Sequence, residues 1–188
     1  MDKIIGFDID GTITDDEYFQ KSLLAEFCKL NGKTEKEIKS SVYWDNKFKD
    51  FSFPRTVLSA PIREHTKELF DELHKRGYKV YIVTRRDEYY DKGLYKGSMM
   101  KDDTISRFHR IGLDYDRIFF SCFNKAKTLK ENGINCLVDD DPTNIFQVAN
   151  FMPTINIGKQ KLEGKNIYNI DSFDVDNFIY LLESVIEW

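Results

Sequence analysis

No stretch of this sequence is apolar for long. Runs such as the one around Phe119 and Phe120 end far short of the roughly 20 residues that a bilayer-spanning helix needs, so no membrane span and no membrane partner are expected. The opening residues, MDKIIGFDIDG, carry acids where a secretion signal would carry an apolar stretch, and a cytoplasmic location is the expectation. Cysteine is scarce as well. Cys28, Cys122 and Cys136 are odd in number, widely spaced and form no CxxC pair. That excludes a disulfide framework and a zinc knuckle and leaves buried free thiols in a reducing compartment. An excess of basic charge is also missing. Lysine and arginine number 28 against 32 aspartates and glutamates, so the footprint of a duplex nucleic-acid binder is absent. Only three histidines occur, His65, His74 and His109, all in helical stretches away from the strand ends, where structural roles are expected.

What is present is a large apolar and aromatic content. Among 188 residues there are 15 Phe, 10 Tyr and 2 Trp, enough to bury a core in one domain, or in one domain with an insertion. Short β-branched runs predict strands at 3–7, 78–83, 117–120, 135–138 and 154–157. Amphipathic stretches between and after them predict helices at 61–76, with Pro61 in its first turn and Gly77 past its end, and at 101–111, 126–132, 141–150 and 172–187. Alternation of this kind implies an α/β fold, a Rossmann-like parallel sheet with helices on both faces. Residues 15–59 break the rhythm with helical segments at 17–30 and 34–40 and no strand. They read as a small helical cap inserted after the first strand of a core domain made of 1–14 and 60–188.

The chemistry gathers at strand ends. Asp8 and Asp10 follow the first strand and, two apart, leave it on one face, while Gly11 permits a sharp turn. Two such carboxylates repel, and a bridging Mg²⁺ removes the conflict. Thr84 ends the second strand, Lys125 follows the third within a few residues, and Asp139 and Asp140 end the fourth. Ligands of open parallel sheets bind beyond those carboxyl ends. Carboxylates, a hydroxyl and an ammonium converging on one rim suit phosphoryl transfer. Asp8 would act as nucleophile, Asp10 as acid and base, Thr84 and Lys125 as phosphate partners, and Asp139 and Asp140 would complete the metal site.

In FDIDGTIT, in Thr84 after KVYIV, in Lys125 within FNKAKTL and in VDDDP, the chain resembles the haloacid dehalogenase superfamily of phosphohydrolases. The resemblance implies Asp8 as nucleophile, Asp10 as acid/base with its main-chain carbonyl on the metal, and Asp140 as metal ligand beside Asp139. It is closest in pattern to the small bacterial branch similar to 5′(3′)-deoxyribonucleotidases, which implies a nucleoside monophosphate as substrate. Two positions depart from that branch. Arg85 stands where a small residue is common, and Lys127 lies two residues from Lys125 and competes for its role. Substrate contacts are expected from Thr84, Arg85, Arg86, Lys125, Tyr18 and Trp44. Trp44 belongs to YWDNKFKDFSF, where Tyr43, Phe48, Phe51 and Phe53 either pack the cap or line a pocket. A sugar phosphate or a polynucleotide end is the alternative substrate, and a phospho-aspartate signalling module or a non-catalytic binding protein the alternative of another class.

Overall fold

The computed structural model describes residues 2–91 and 95–186. Six parallel strands form one sheet: β1 (Lys3–Phe7), β2 (Tyr78–Val83), β3 (Arg117–Phe119), β4 (Cys136–Asp139), β5 (Thr154–Asn156) and β6 (Ile167–Asn169). Their order is β3-β2-β1-β4-β5-β6. The chain winds outward from β1 through β2 to β3 and then returns to β1's other side with β4. The carboxyl end of β1 is therefore the point where the winding reverses, the place at which such sheets take their ligands. Ile5 faces Val80 on one neighbour and Cys136 on the other.

β1 reads KIIGF, with no charged residue after Lys3, because both of its faces are covered. Ile5 and Phe7 point to one side. There Phe7 meets Phe70 of α4 (Thr66–Lys75) at 4.8 Å between ring centres, and Phe173 and Phe178 at 6.0 Å, the latter on α8 (Val175–Val185). Phe108 of α5 (Met100–Arg110) joins the same layer. Ile4 points to the opposite side, towards Leu129 of α6 (Lys125–Glu131) and Val148 of α7 (Pro142–Ala149). Helices on both faces of a parallel sheet make the expected doubly wound α/β architecture.

Three helices lie between β1 and the rest: α1 (Asp16–Asn31), α2 (Glu35–Ser40) and α3 (Val42–Ser59). Gly32 ends α1 in the left-handed conformation, and Thr34 opens α2 through a capping box with Glu37. α3 is absent from the sequence expectation. Its signal is the period of Trp44, Phe48 and Phe51, spaced i, i+4, i+7, all of which meet Phe27 of α1. The chain enters and leaves these helices side by side. Thr14 bridges Ile62, Asp15 N–H donates to Pro61 C=O at 2.8 Å, and Arg63 N–H donates to Ile13 C=O at 2.8 Å.

That pairing corrects the start expected for α4. Pro61 stands outside the helix, because residues 61–63 are held extended against 13–15, and the helix begins at Thr66. α8 begins at Val175 rather than 172, since the Asp174 side chain caps it by accepting from Asn177 N–H; position 187 of the expected span, like position 1, lies outside the described residues. β6 was not expected from its sequence. It is a three-residue edge strand, only half-buried, tied in where Asn156 donates to Asn169 at 2.7 Å. Cys28, Cys122 and Cys136 are free thiols, the last two buried. No helix among the described residues is long and apolar enough to cross a membrane.

Candidate active site

Asp8 leaves β1 with its N–H on Val138 C=O, which fixes it between β1 and β4. Lys125 opens α6, whose start is set by Asn124 accepting from Lys127 N–H. Its ammonium is wholly buried and donates to Asp8 Oδ1 and Asp139 Oδ2, both at 2.6 Å. Burial works against the charged lysine, yet Asp8 and Asp139 outweigh it and hold its pKa above the ordinary value. Lys127, by contrast, points outward to Glu131. Burial, followed by the charges of Asp139 and Asp10, lifts the Asp8 carboxyl well above the usual range against the pull of Lys125. Asp8 Oδ2 takes no hydrogen bond among the described residues.

Asp139 is fully buried, and both of its oxygens are engaged: by Lys125, by the Asn144 amide at 3.2–3.3 Å, and by Asp141 N–H at 2.9 Å. It is a structural anchor for Lys125 with little capacity to spare. Asp140 is freer. One oxygen accepts from Thr12 Oγ1 at 3.1 Å, and burial together with the Asp139 charge raises its pKa to about 6. Carboxylate oxygens of Asp8, Asp139 and Asp140 lie within 4.8 Å of one another.

The turn after β1 lets Asp140 approach. Gly11 sits at φ +78°, and a Cβ there would fall 2.1 Å from Asp140 Oδ2. A Gly11→Ala variant is therefore expected to displace Asp140 and distort the turn, lowering stability by about 1–3 kcal/mol through the left-handed strain and the clash. Urea denaturation of the two proteins checks it. Arg63 clamps the same turn, donating to Thr12 C=O at 2.8 Å and to Gly11 C=O.

Asp10 has a different partner. Arg86 grips it as a fork, Nε to Oδ2 at 2.9 Å and Nη2 to Oδ1 at 2.5 Å, while Nη1 donates to Thr104 Oγ1 at 3.2 Å. Burial would raise the Asp10 pKa, but the guanidinium brings it below the usual carboxylate value. Asp16, beside it, is pushed up to about 6 by burial and by the Asp10 charge. Thr84 is buried and accepts from Arg86 N–H at 3.1 Å. Arg85 faces outward, 3.5 Å from Asp141.

The site thus holds the carboxylates of Asp8, Asp10, Asp139 and Asp140 against the cations of Lys125 and Arg86. Two negative charges are left, concentrated where β1 and β4 end, and Asp8 and Asp140 keep oxygens with lone pairs available. A hard divalent cation suits that donor set and that charge. A cavity of about 650 Å³ opens beside it, lined among others by Asp10, Asp140, Asp16, Tyr18, Arg63 and Lys159. Tyr18 is 80% exposed. Lys159, from the loop after β5, pairs with Glu17 of α1 across this cavity.

Of the residues expected at the site, the structure places Asp8, Asp10, Thr84, Arg86, Lys125, Asp139 and Asp140 at the carboxyl rim, and Tyr18 at the cavity. Trp44 stands apart: it packs edge-on against Phe27 and Tyr43 within the helices α1–α3 and does not line that cavity. Thr12, Asp16, Arg63, Thr104 and Asn144 were not singled out from sequence. Asn144 is the one with a local cue, in the first turn of the helix that starts directly after the acidic triplet.

No family model matches the sequence, and no curated relative does. Solved structures do. A putative phosphatase from Clostridium difficile superposes with TM-score 0.65 at 14% identity over 95% of this chain and 98% of that one. A haloacid dehalogenase-like hydrolase from Streptococcus pneumoniae gives 0.64 at 13%, over 95% and 98%. A phosphoserine phosphatase solved as a phospho-aspartyl intermediate analogue gives 0.57 at 18%, over 96% and 98%. At these identities the likeness establishes a shared fold, that of the haloacid dehalogenase hydrolases.

Proposed function

We propose that this protein is a phosphomonoesterase in which Asp8 accepts the phosphoryl group, with a nucleoside monophosphate as substrate. One observation carries the reading: Asp8 has one oxygen pinned by a buried lysine and the other unengaged, at the reversal point of the sheet. A carboxylate fixed in this way presents a lone pair in one direction, which is what in-line attack on phosphorus requires.

The sequence of events follows from the residues present. Lys125 and the Thr84 hydroxyl border the phosphate's position and offset its charge. Asp8 Oδ2 attacks phosphorus, the bond to the ester oxygen breaks, and Asp10 is the group placed to exchange a proton with that oxygen. Water then attacks the aspartyl phosphate and yields its proton to Asp10, restoring Asp8. Residues 15–59 act as the cap: α1 supplies Asp16, Glu17, Tyr18 and Lys21 to the cavity wall, where they would restrict water and meet the leaving group. Asp8, Asp140 and the main-chain carbonyl of Asp10 would hold Mg²⁺, which when bound supplies positive charge against the developing charge on the phosphoryl oxygens.

A screen in Mg²⁺ buffer over nucleoside monophosphates, sugar phosphates and 3′-phosphorylated oligonucleotides tests this. Hydrolysis of nucleoside monophosphates is expected, with Tyr18→Ala raising KM about tenfold through lost base stacking. Activity on sugar phosphates alone would remove the nucleotide, and no phosphatase activity would remove the enzyme.

The metal reading has a pH signature. Asp140 titrates near 3.8 when unfolded and at about 6 when folded, and Asp8 is raised as well. Between those values the folded state binds more protons, so stability without metal falls as pH rises through that window. A cation competes with those protons, so added Mg²⁺ is expected to raise Tm more at pH 7.5 than at pH 5. An equal rise at both would point to a site elsewhere.

A further inference from the structure

We propose that Arg86 is a positioning residue for the water-attack half of the reaction, aiming the Asp10 carboxylate at the water that hydrolyses the aspartyl phosphate; this rests on the phosphomonoesterase reading above. Arg86 lies two residues past Thr84, where an arginine is as easily read as a phosphate clamp. The structure argues otherwise. Its side chain is 1% exposed, so it has no surface to offer a substrate. Three of its five N–H donors are already committed, two to Asp10 and one to Thr104 Oγ1.

Arg86 is itself held from several directions. Its N–H donates to Thr84 Oγ1 at 3.1 Å, and its C=O accepts from Ser121 N–H, just past β3, at 2.7 Å. Thr104 ties the guanidinium to α5. Apart from the Asp16 carboxyl beside it, the Asp10 side chain is held by Arg86 alone among the described residues. Asp10 sits in a turn next to Gly11, with 37% of its side chain open to the cavity. Without the fork its carboxylate would be free to turn among its rotamers. A planar guanidinium on both oxygens fixes the plane of the carboxylate as well as its position, and each oxygen keeps a lone pair for a proton. Neighbouring Arg85, exposed and facing Asp141, has no part in this.

Water oxygen bonds to phosphorus, the bond from phosphorus to Asp8 oxygen breaks with its electron pair returning to Asp8, and the water proton goes to Asp10. Inorganic phosphate then departs. Losing the aim of Asp10 slows this step while leaving formation of the intermediate intact for an ester whose leaving group needs no proton.

The test uses 4-nitrophenyl phosphate with Mg²⁺ on the full chain, comparing wild type with Arg86→Lys and Arg86→Met. In both variants kcat is expected to fall about 100-fold, the share of a positioned general base. KM falls with it, so kcat/KM is nearly kept. A burst of one nitrophenolate per site precedes the slow phase, and phosphorylated Asp8 is trapped by acid quench. Lysine keeps the charge but not the fork, so it does not restore kcat. A structural role predicts instead that kcat/KM falls with kcat, without a burst, in whatever fraction of Arg86→Lys remains folded; that result, or an unchanged kcat, overturns the proposal. Protein that never labels on Asp8, wild type and both Arg86 variants alike, overturns the parent reading along with it.

Discussion

Lys125→Met is expected to lose about 3–5 kcal/mol of stability at pH 7.5 without divalent ions, measured by urea denaturation, and to be inactive. Methionine matches the length and fills the same buried space, so packing changes little. The electrostatics change completely. The lysine side chain is 0% exposed and lies between two carboxylates that are themselves 11% and 0% exposed. With it gone, Asp8 and Asp139 face each other without a cation in a dry environment, and each must take up a proton or remain ionised at high energy. The deficit therefore shrinks as pH falls towards 5, where protonation neutralises them, and adding Mg²⁺ at pH 7.5 recovers part of it. Lys127→Met, two residues along and with its ammonium paired to exposed Glu131, is expected to stay within about 0.5 kcal/mol of wild type. Equal effects of the two substitutions would contradict the placement of the buried ammonium.

Asp8→Asn is expected to cut phosphatase activity by at least about 10⁴-fold, with no protein-bound phosphate after acid quench. An amide keeps the acceptor for Lys125 but has no lone pair of comparable nucleophilicity. Stability is expected to move the other way. Burial and the nearby Asp139 and Asp10 charges disfavour the Asp8 carboxylate, so a neutral isostere relieves that conflict. In metal-free buffer at pH 7.5, Tm of Asp8→Asn should equal or exceed that of wild type, the usual relation between a working site and the fold that holds it. A lowered Tm together with lost activity would mean that residue 8 is chiefly structural.

Much of this arrangement was legible from the chain alone, for a physical reason. β1, β2 and β4 are covered on both faces, so they read as uninterrupted apolar runs, and the first polar residues after them mark the rim. That is how Asp8, Thr84, Asp139 and Asp140 could be found. The rest depended on partners that leave no periodic trace. Arg63 acts on main-chain carbonyls some fifty positions away, which no side-chain pattern records. Arg86 was visible as a residue, but its commitment to Asp10 was not, because a charged pair with a sequence separation of 76 has no local signature. Trp44 misled because aromatic density was read without its helical period. Pro61 misled because a proline that opens a helix and one that keeps the chain extended look alike until their neighbours are known.

The paired chain at Thr14 and Ile62 has an evolutionary consequence. What lies between them leaves and rejoins through one narrow neck of backbone hydrogen bonds, with its own small aromatic nucleus around Phe27. Such a module can be lengthened, shortened or exchanged for another without shifting the register of any strand. Diversification of what the rim is offered can therefore proceed with every strand left in place.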